Sequence, residues 1–249
     1  EIQSFTISGA SIEDDIAFGL EALKKLNYRN IYIAADPWLI NSFDGQNGYK
    51  VVANLYRYWS DLMSRNEQPH PFLNSRNHQT SDGINSNVLN ILRDTIFQNT
   101  NSIASDGSAG AWDKKAYDGS HIYKKRPENQ RGQVSSGFSS LLNYAMRNFE
   151  YDNQSIRNLE IFISYLQSNG VSVNFILSPY HPDLYKLMAS EKPIFLEIED
   201  WFRDFASRNN VGVIGSYDGS VVGCADDEFY DGMHPKSTCM QKLFVNLSE

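Results

Sequence analysis

The strongest constraint on the fold is an alternation of short apolar runs with amphipathic segments. After Ser11, apolar residues recur at helical spacing, and the next run, NIYIAA, has the length and composition of a strand buried on both faces. The stretch SFTIS, which precedes Gly9, also has β-strand composition. A strand, a helix and a second strand in this order predict a parallel sheet with helices on its faces.

The same alternation returns in the last hundred residues. SIRNLEIFISYLQSNG and KPIFLEIEDWFRDFASRNN each carry one apolar face at helical spacing, and VSVNFILSP and VGVIGS are short buried-strand runs. The first of these helices ends at Gly170, a residue type favoured just after a helix. The predicted fold class is therefore α/β, a three-layer α/β/α arrangement around a parallel sheet.

The region from 43 to 153 has a different pattern. YKVVANLYRYWSDLMSRN and NVLNILRDTIFQN are typical of helices, whereas residues 99–137 are rich in Gly, Ser and Asp with scattered aromatic residues. Loops of this length inside a compact domain usually have a function of their own. We interpret 43–153 as a helical and loop insertion, or lid, within a single domain that spans 1–249. Its aromatic rings suit stacking against sugars.

Composition excludes several classes of function. The 30 acidic residues outnumber 22 basic ones, for a net charge of −8, which argues against a nucleic-acid partner. No run approaches the roughly 18 apolar residues that a membrane span requires. The His and Cys residues lack zinc-ligand spacing, and there is neither a phosphate-binding glycine loop nor a dinucleotide fingerprint. We therefore predict no metal and no cofactor.

The C-terminal region contains an Asp-x-x-His pattern and the two cysteines of the chain. In EFYDGMHPKST, Asp231 precedes His234 by three residues, close enough in a tight loop for the carboxylate to orient the imidazole as a general base. The alternative is an Asx-turn followed by a surface histidine. Cys224 and Cys239 flank this loop. They are either two free thiols in a reducing cell or a disulfide that ties the loop to the last helix in an oxidising compartment.

Ligands of open α/β sheets bind beyond the carboxyl ends of the strands. Four segments end predicted strands: SGAS, ADPW, SPYHP and the loop from Asp231 to His234. We expect them to converge on one edge of the sheet. The candidates there for substrate contacts are Asp36, Trp38, Tyr180 and His181.

With these four segments in order, the chain resembles the SGNH/GDSL hydrolase superfamily, in particular its bacterial branch related to alginate O-acetyltransferase-like proteins of polysaccharide gene clusters. DGMHP is similar to the family's final Asp-x-x-His block, and TISGAS to its second block, so the resemblance makes Gly9 an oxyanion-hole donor. IYIAADPW falls where the third block ends a strand, and NFILSPYHP resembles the next strand and its loop. The resemblance implies a flavodoxin-like strand order and Ser-His-Asp chemistry.

The chain departs from that family at two places. The family's nucleophilic serine lies on a first strand before the glycine block, so we expect that strand and nucleophile upstream of Glu1. The third block ordinarily supplies an Asn to the oxyanion hole, where this chain has Asp36. A carboxylate there repels an oxyanion unless it is protonated or turned away. Ser11 is the fallback nucleophile, although helix capping alone explains a serine at its position.

The resemblance implies an esterase or O-acyltransferase acting on a glycan or an acylated small molecule. We expect a periplasmic or other extracytoplasmic location, with a membrane anchor upstream as one option and a cytoplasmic location as the alternative. The rival functions are a non-catalytic carbohydrate-binding or polysaccharide-assembly protein on the same fold, and a lipase or thioesterase, for which the middle region is too polar. The sequence does not indicate an oligomeric state.

Overall fold

A computed structural model describes residues 10–26, 29–43, 53–65, 112–115, 121–123, 141 and 146–245. The predicted strand SFTIS, Gly9 and the predicted helix at 87–99 lie outside these residues. In chain order the elements are α1 (Ile12–Leu26), β1 (Asn30–Ala34), α2 (Ala53–Ser64), β2 (Trp112–Lys115), β3 (His121–Tyr123), α3 (Asn153–Ser168), β4 (Ser172–Leu177), α4 (Pro182–Glu191), α5 (Ile194–Arg208), β5 (Gly212–Gly215), α6 (Gly219–Val222) and α7 (Ser237–Val245).

The chain divides into two compact units, one made of residues 1–24 and 47–127 and the other of residues 25–46 and 128–249. In the first unit, α1 buries Ile12, Ile16 and Leu20, the apolar stripe that helical spacing predicts. The strands β2 and β3 pair as an antiparallel hairpin. Sequence reasoning had interpreted this stretch as loop, because both strands are short and lie among turn residues.

The second unit contains a parallel sheet with the order β1, β4, β5. Residues of β4 alternate between buried and half-buried, with Val173, Phe175 and Leu177 on the buried face. The fold class α/β with a parallel sheet is thus observed. The prediction that the NIYIAA strand is buried on both faces is wrong, because Asn30, Tyr32 and Ala34, which alternate along one face of β1, are exposed.

Helices contact both faces of this sheet. Phe175 packs against Phe202 and Phe205 of α5, with ring centroids 5.5 and 6.0 Å apart. Tyr32 projects from the opposite face, because it alternates with Ile33, whose register partner is Phe175. Its ring meets Phe244 of α7 edge-on at 6.2 Å.

The helices α3 and α5 contribute many of the buried residues of the second unit. Those of the apolar faces that helical spacing predicts are Leu159, Phe162, Ile163, Leu166, Phe195, Ile198, Phe202 and Phe205. This core holds the parallel strands in place, so the positions of their carboxyl ends are fixed by packing. No described helix has both the length and the apolar character that crossing a bilayer requires.

Candidate active site

The segments that follow the three parallel strands meet at one edge of the sheet. Asp36 comes two residues after β1, Tyr180 three residues after β4 and Tyr217 two residues after β5. The backbone N–H of Tyr180 donates to the carbonyl of Tyr217 over 3.0 Å, and the Tyr217 hydroxyl donates to the carbonyl of Ala35. These hydrogen bonds fix the segments that follow the three strands relative to one another.

The loop that carries Asp231 and His234 is attached to this edge. The backbone N–H of His181, in the segment after β4, donates to the carbonyl of Gly232 over 3.0 Å. Within the loop, the N–H of Tyr230 donates to the carbonyl of His234 over 2.9 Å, and a β-bridge joins Phe229 to Pro235. Three of the four segments that sequence reasoning expected to converge are therefore brought together.

Asp231 and His234 form a close carboxylate–imidazole couple. Nδ1 of His234 lies 2.8 Å from Oδ1 and 2.9 Å from Oδ2 of Asp231. Oδ1 also accepts hydrogen bonds from the backbone N–H groups of Met233 at 2.9 Å and of His234 at 3.1 Å. The sequence allowed either an Asx-turn or a carboxylate that orients the imidazole, and the structure has both. The Asx-turn shapes the loop and thereby directs the carboxylate at the ring.

This couple has the geometry of a general base. A carboxylate on Nδ1 favours the tautomer with its proton there, which leaves Nε2, on the opposite side of the ring, as the basic nitrogen. The Asp231 side chain is 13% exposed, whereas the His234 side chain is 41% exposed. The orienting group is thus shielded, and the imidazole it orients is accessible.

Asp36 is a second carboxyl group near His234. Burial raises its pKa from the usual 3.8 to about 7, and the charge of His234 opposes this rise. Part of the residue reaches solvent, yet Ala35, Pro37 and Leu39 around it are buried. Asp36 stands at the N-cap of the 3₁₀ turn Pro37–Ile40, but its side chain makes no capping hydrogen bond.

Tyr180 and Tyr217 form the apolar wall beside Asp36. Tyr180 is 2% exposed and Tyr217 is fully buried; their rings lie 5.7 Å apart and both pack on Phe195. Burial and then the Asp36 charge raise the pKa of Tyr180 well above its usual value. Burial, followed by the neighbouring Tyr180 and Asp36, does the same to Tyr217. Within the part of the chain that the structure describes, the buried Tyr180 hydroxyl has no hydrogen-bond partner.

Tyr180 and His181, which the sequence offers as substrate contacts, both have structural roles. Tyr180 packs in the core, and His181 caps α4 by accepting a hydrogen bond at Nδ1 from the N–H of Asp183 over 3.1 Å. Trp38 is half-buried in the 3₁₀ turn after Asp36. Substrate contact by any of these three residues stays a prediction.

A disulfide joins Cys224 to Cys239 in α7, so the two cysteines are bonded and not free thiols. The bond spans 15 residues and encloses the whole loop from Asp231 to His234. Both cysteines are buried and cluster with Phe229. The loop is therefore fixed covalently at its base as well as by hydrogen bonds.

Ser11 and Gly9 belong to the other compact unit. Ser11 is 4% exposed; its Oγ accepts from the Asp14 N–H over 3.4 Å, and the Asp14 carboxylate accepts from the Ser11 N–H over 3.0 Å. Oγ also lies 3.1 Å from Oδ2 of Asp14, to which it donates. This is the reciprocal capping arrangement that the sequence predicts at the start of α1. It supports a capping role over that of nucleophile. Gly9 lies outside the described residues.

Two further features of the second unit bear on binding. An open cleft of about 590 Å³ is lined by Phe43, Met146, Arg147, Asn148, Phe149, Glu150, Lys192 and Ile194. Separately, His181, Asp183 and Asp226 place possible ligand atoms within 4.8 Å of one another. Since Nδ1 of His181 is occupied by helix capping and both carboxylates are exposed, capping and solvation account for that group.

No family model, curated protein or solved structure matches this chain.

Sequence reasoning missed Tyr217 and the unusual state of Asp36. Tyr217 follows the strand VGVIGS directly, so its place at the carboxyl edge was available from the pattern. Its bond to the carbonyl of Ala35 was not, because the two residues are 182 positions apart.

Proposed function

We propose that the protein is an SGNH-like serine esterase or O-acyltransferase that acts on acyl esters of a glycan. The observation that carries the proposal is the Asp231–His234 couple, with Nδ1 within 2.9 Å of both carboxylate oxygens, at the carboxyl edge of a parallel sheet. That edge is where open α/β sheets bind their ligands.

His234 and Asp231 have different roles in the proposed mechanism. His234 takes the proton of a serine hydroxyl as that oxygen attacks the ester carbonyl, and then returns it to the departing alcohol. Asp231 orients the ring and stabilises the imidazolium that forms in between. A serine oxygen takes the acyl group, and backbone N–H donors hold the oxyanion.

Two observations support the remaining parts of the proposal. The buried disulfide between Cys224 and Cys239 favours an oxidising, extracytoplasmic compartment. The open cleft, whose lining includes neither Asp231 nor His234, combines the phenyl rings of Phe43 and Phe149 with polar and charged side chains, a combination suited to a sugar bound apart from these two residues. The parallel order of β1, β4 and β5 is compatible with the flavodoxin-like order of the SGNH fold.

The test is hydrolysis of a chromogenic acetyl ester by the full-length protein and by its His234→Ala variant. We expect kcat to fall by at least about 10³-fold, because both proton transfers are lost. Lys236→Ala, which removes a side-chain bond to the carbonyl of Asp227 but keeps both Asp231 and His234, serves as the control for disturbance of the loop. Equal rates for the His234→Ala variant and the unmodified protein would eliminate the assigned base.

One observation favours a second candidate, a carbohydrate-binding or polysaccharide-assembly protein without catalysis. The Ser11 hydroxyl is engaged by Asp14, so the fallback nucleophile is committed to helix capping. Binding of glycans by a protein that fails to hydrolyse the ester would favour this candidate.

A further inference from the structure

The open cleft of the second unit is bounded by two stretches of backbone that the fold holds in place. The first contains Phe43 and Glu150, whose backbone N–H groups both donate to Oδ1 of buried Asn41, each over 3.1 Å. The second is the turn between α4 and α5, where the N–H of Lys192 donates to the carbonyl of Met188 over 2.8 Å. Because both stretches are hydrogen-bonded within the protein, the cleft is formed without a ligand.

The cleft has an exposed aromatic ring in its lining. Phe43 is 52% exposed although its side chain is large and apolar. Phe149 is half-buried, and its ring meets that of Tyr151 edge-on at 5.0 Å, which in turn lies 6.1 Å from the ring of Trp201 in α5. Packing within the protein therefore accounts for Phe149 but leaves the Phe43 ring open. An exposed ring on a fixed backbone offers a face for stacking a sugar at a low cost in conformational entropy.

The cleft also carries charges that the fold does not use. Its lining contains the cations Arg147 and Lys192 and the anion Glu150. Within the described residues, the side chains of Arg147 and Lys192 make no hydrogen bond or ion pair. This local excess of positive charge contrasts with the net charge of −8 of the whole chain. Two such cations beside an exposed ring favour a ligand that combines a flat apolar face with a negative group.

We propose that this cleft binds an anionic sugar unit of the glycan, at a place separate from Asp231 and His234. The sugar ring stacks on Phe43, and its negative group is held by Arg147 and Lys192. A carboxylate and a sulfate share this chemistry, since each accepts paired hydrogen bonds from a guanidinium group. The inference rests on the proposed glycan substrate, to which it adds a charge and a second point of attachment.

The experiment measures how three oligosaccharides of equal length, one neutral, one carboxylated and one sulfated, bind to the full-length protein in isothermal titration calorimetry. We expect at least one anionic probe to bind at least about 10-fold more tightly than the neutral one. Its Kd should rise as salt is raised from about 50 to about 500 mM, because salt screens exposed charges. Equal Kd values for the three probes, or no binding of any of them, would overturn the proposal.

Variants of the lining give each contribution a sign. Arg147→Gln and Lys192→Gln should each raise the Kd of the anionic probe by about 3- to 10-fold, and Phe43→Ala should raise it by about 5-fold. Glu150→Gln removes a repelling charge and should lower the Kd by about 2- to 3-fold, which a loss of structure would not do. Lys186→Gln, on the exposed side of α4 and outside the lining, is the matched control and should leave the Kd unchanged.

Unchanged affinity in both Arg147→Gln and Lys192→Gln would also overturn the site. Failure of the site and failure of the catalytic proposal are distinguishable, because binding and turnover are measured separately. His234-dependent turnover in a protein that binds no anionic sugar would overturn the cleft site alone. Binding that depends on Arg147 and Lys192, in a protein without His234-dependent turnover, would support the cleft site and overturn the proposed catalysis.

Discussion

At the scale of single residues, one carboxylate does two jobs. Asp231 accepts from the N–H groups of Met233 and His234, which shapes the loop, and its two oxygens face Nδ1 of the ring, which orients the base. The turn and the couple are thus inseparable at this position. For this reason an Asp-x-x-His pattern did not by itself distinguish a surface turn from a catalytic pair.

Asp231→Asn separates the two jobs. The amide oxygen can still accept from the backbone of the turn, but the amide neither favours the proton at Nδ1 nor stabilises an imidazolium. We expect kcat on the chromogenic ester to fall by about 10³- to 10⁴-fold with an unchanged unfolding temperature. Loss of the fold together with activity would indicate that the turn is the residue's main role.

Asp36 also predicts a pH dependence of stability. Its pKa is about 7 in the folded protein and 3.8 in its ordinary state, so the folded protein holds this proton more tightly than the unfolded chain does. The resulting contribution to the free energy of unfolding is fully present below pH 3.8 and is lost progressively as the pH rises to about 7. A rise of about 3 pKa units corresponds to about 4 kcal/mol of unfolding free energy. Urea unfolding should show Asp36→Asn gaining on the unmodified protein from pH 4 to pH 8. A constant difference between the two proteins would contradict the raised pKa.

At the scale of elements, helical spacing predicted α1, α3 and α5 and their buried faces, because the apolar stripe of each is continuous. It failed for the β2–β3 hairpin, whose strands of four and three residues are too short to show a period. Helical spacing also gives no information on Tyr180 and His181, which the sequence offers as candidates for substrate contact and which the structure buries. Their burial depends on Phe195, Tyr217 and Phe229, which come from elements that are distant in sequence.

The disulfide is the covalent bond that holds the loop of Asp231 and His234. Replacing both cysteines, Cys224→Ala with Cys239→Ala, frees a 15-residue segment in the unfolded chain and should lower the unfolding free energy by about 3 kcal/mol. The same loss is expected when the unmodified protein is reduced. An unchanged urea midpoint in both experiments would show that the bond contributes nothing to stability.

At the scale of the whole molecule, the sequence predicted the α/β class and four segments at the sheet edge, of which three meet in the second unit. The parallel strands it identified end where Asp36, Tyr180 and Tyr217 meet, and the last loop joins them through His181. The raised pKa of Asp36 could not be predicted from the sequence, because it depends on how closely atoms of other segments surround its carboxyl group. The place of Gly9 in the site stays a prediction.

The central claim is that the Asp231–His234 couple activates a serine for acyl transfer. Labelling of the full-length protein with a serine-directed fluorophosphonate, followed by mass spectrometry, tests it most directly. The account predicts a single modified serine whose labelling slows by at least about 10²-fold in His234→Ala. No adduct, or an adduct that forms equally fast without His234, would contradict it.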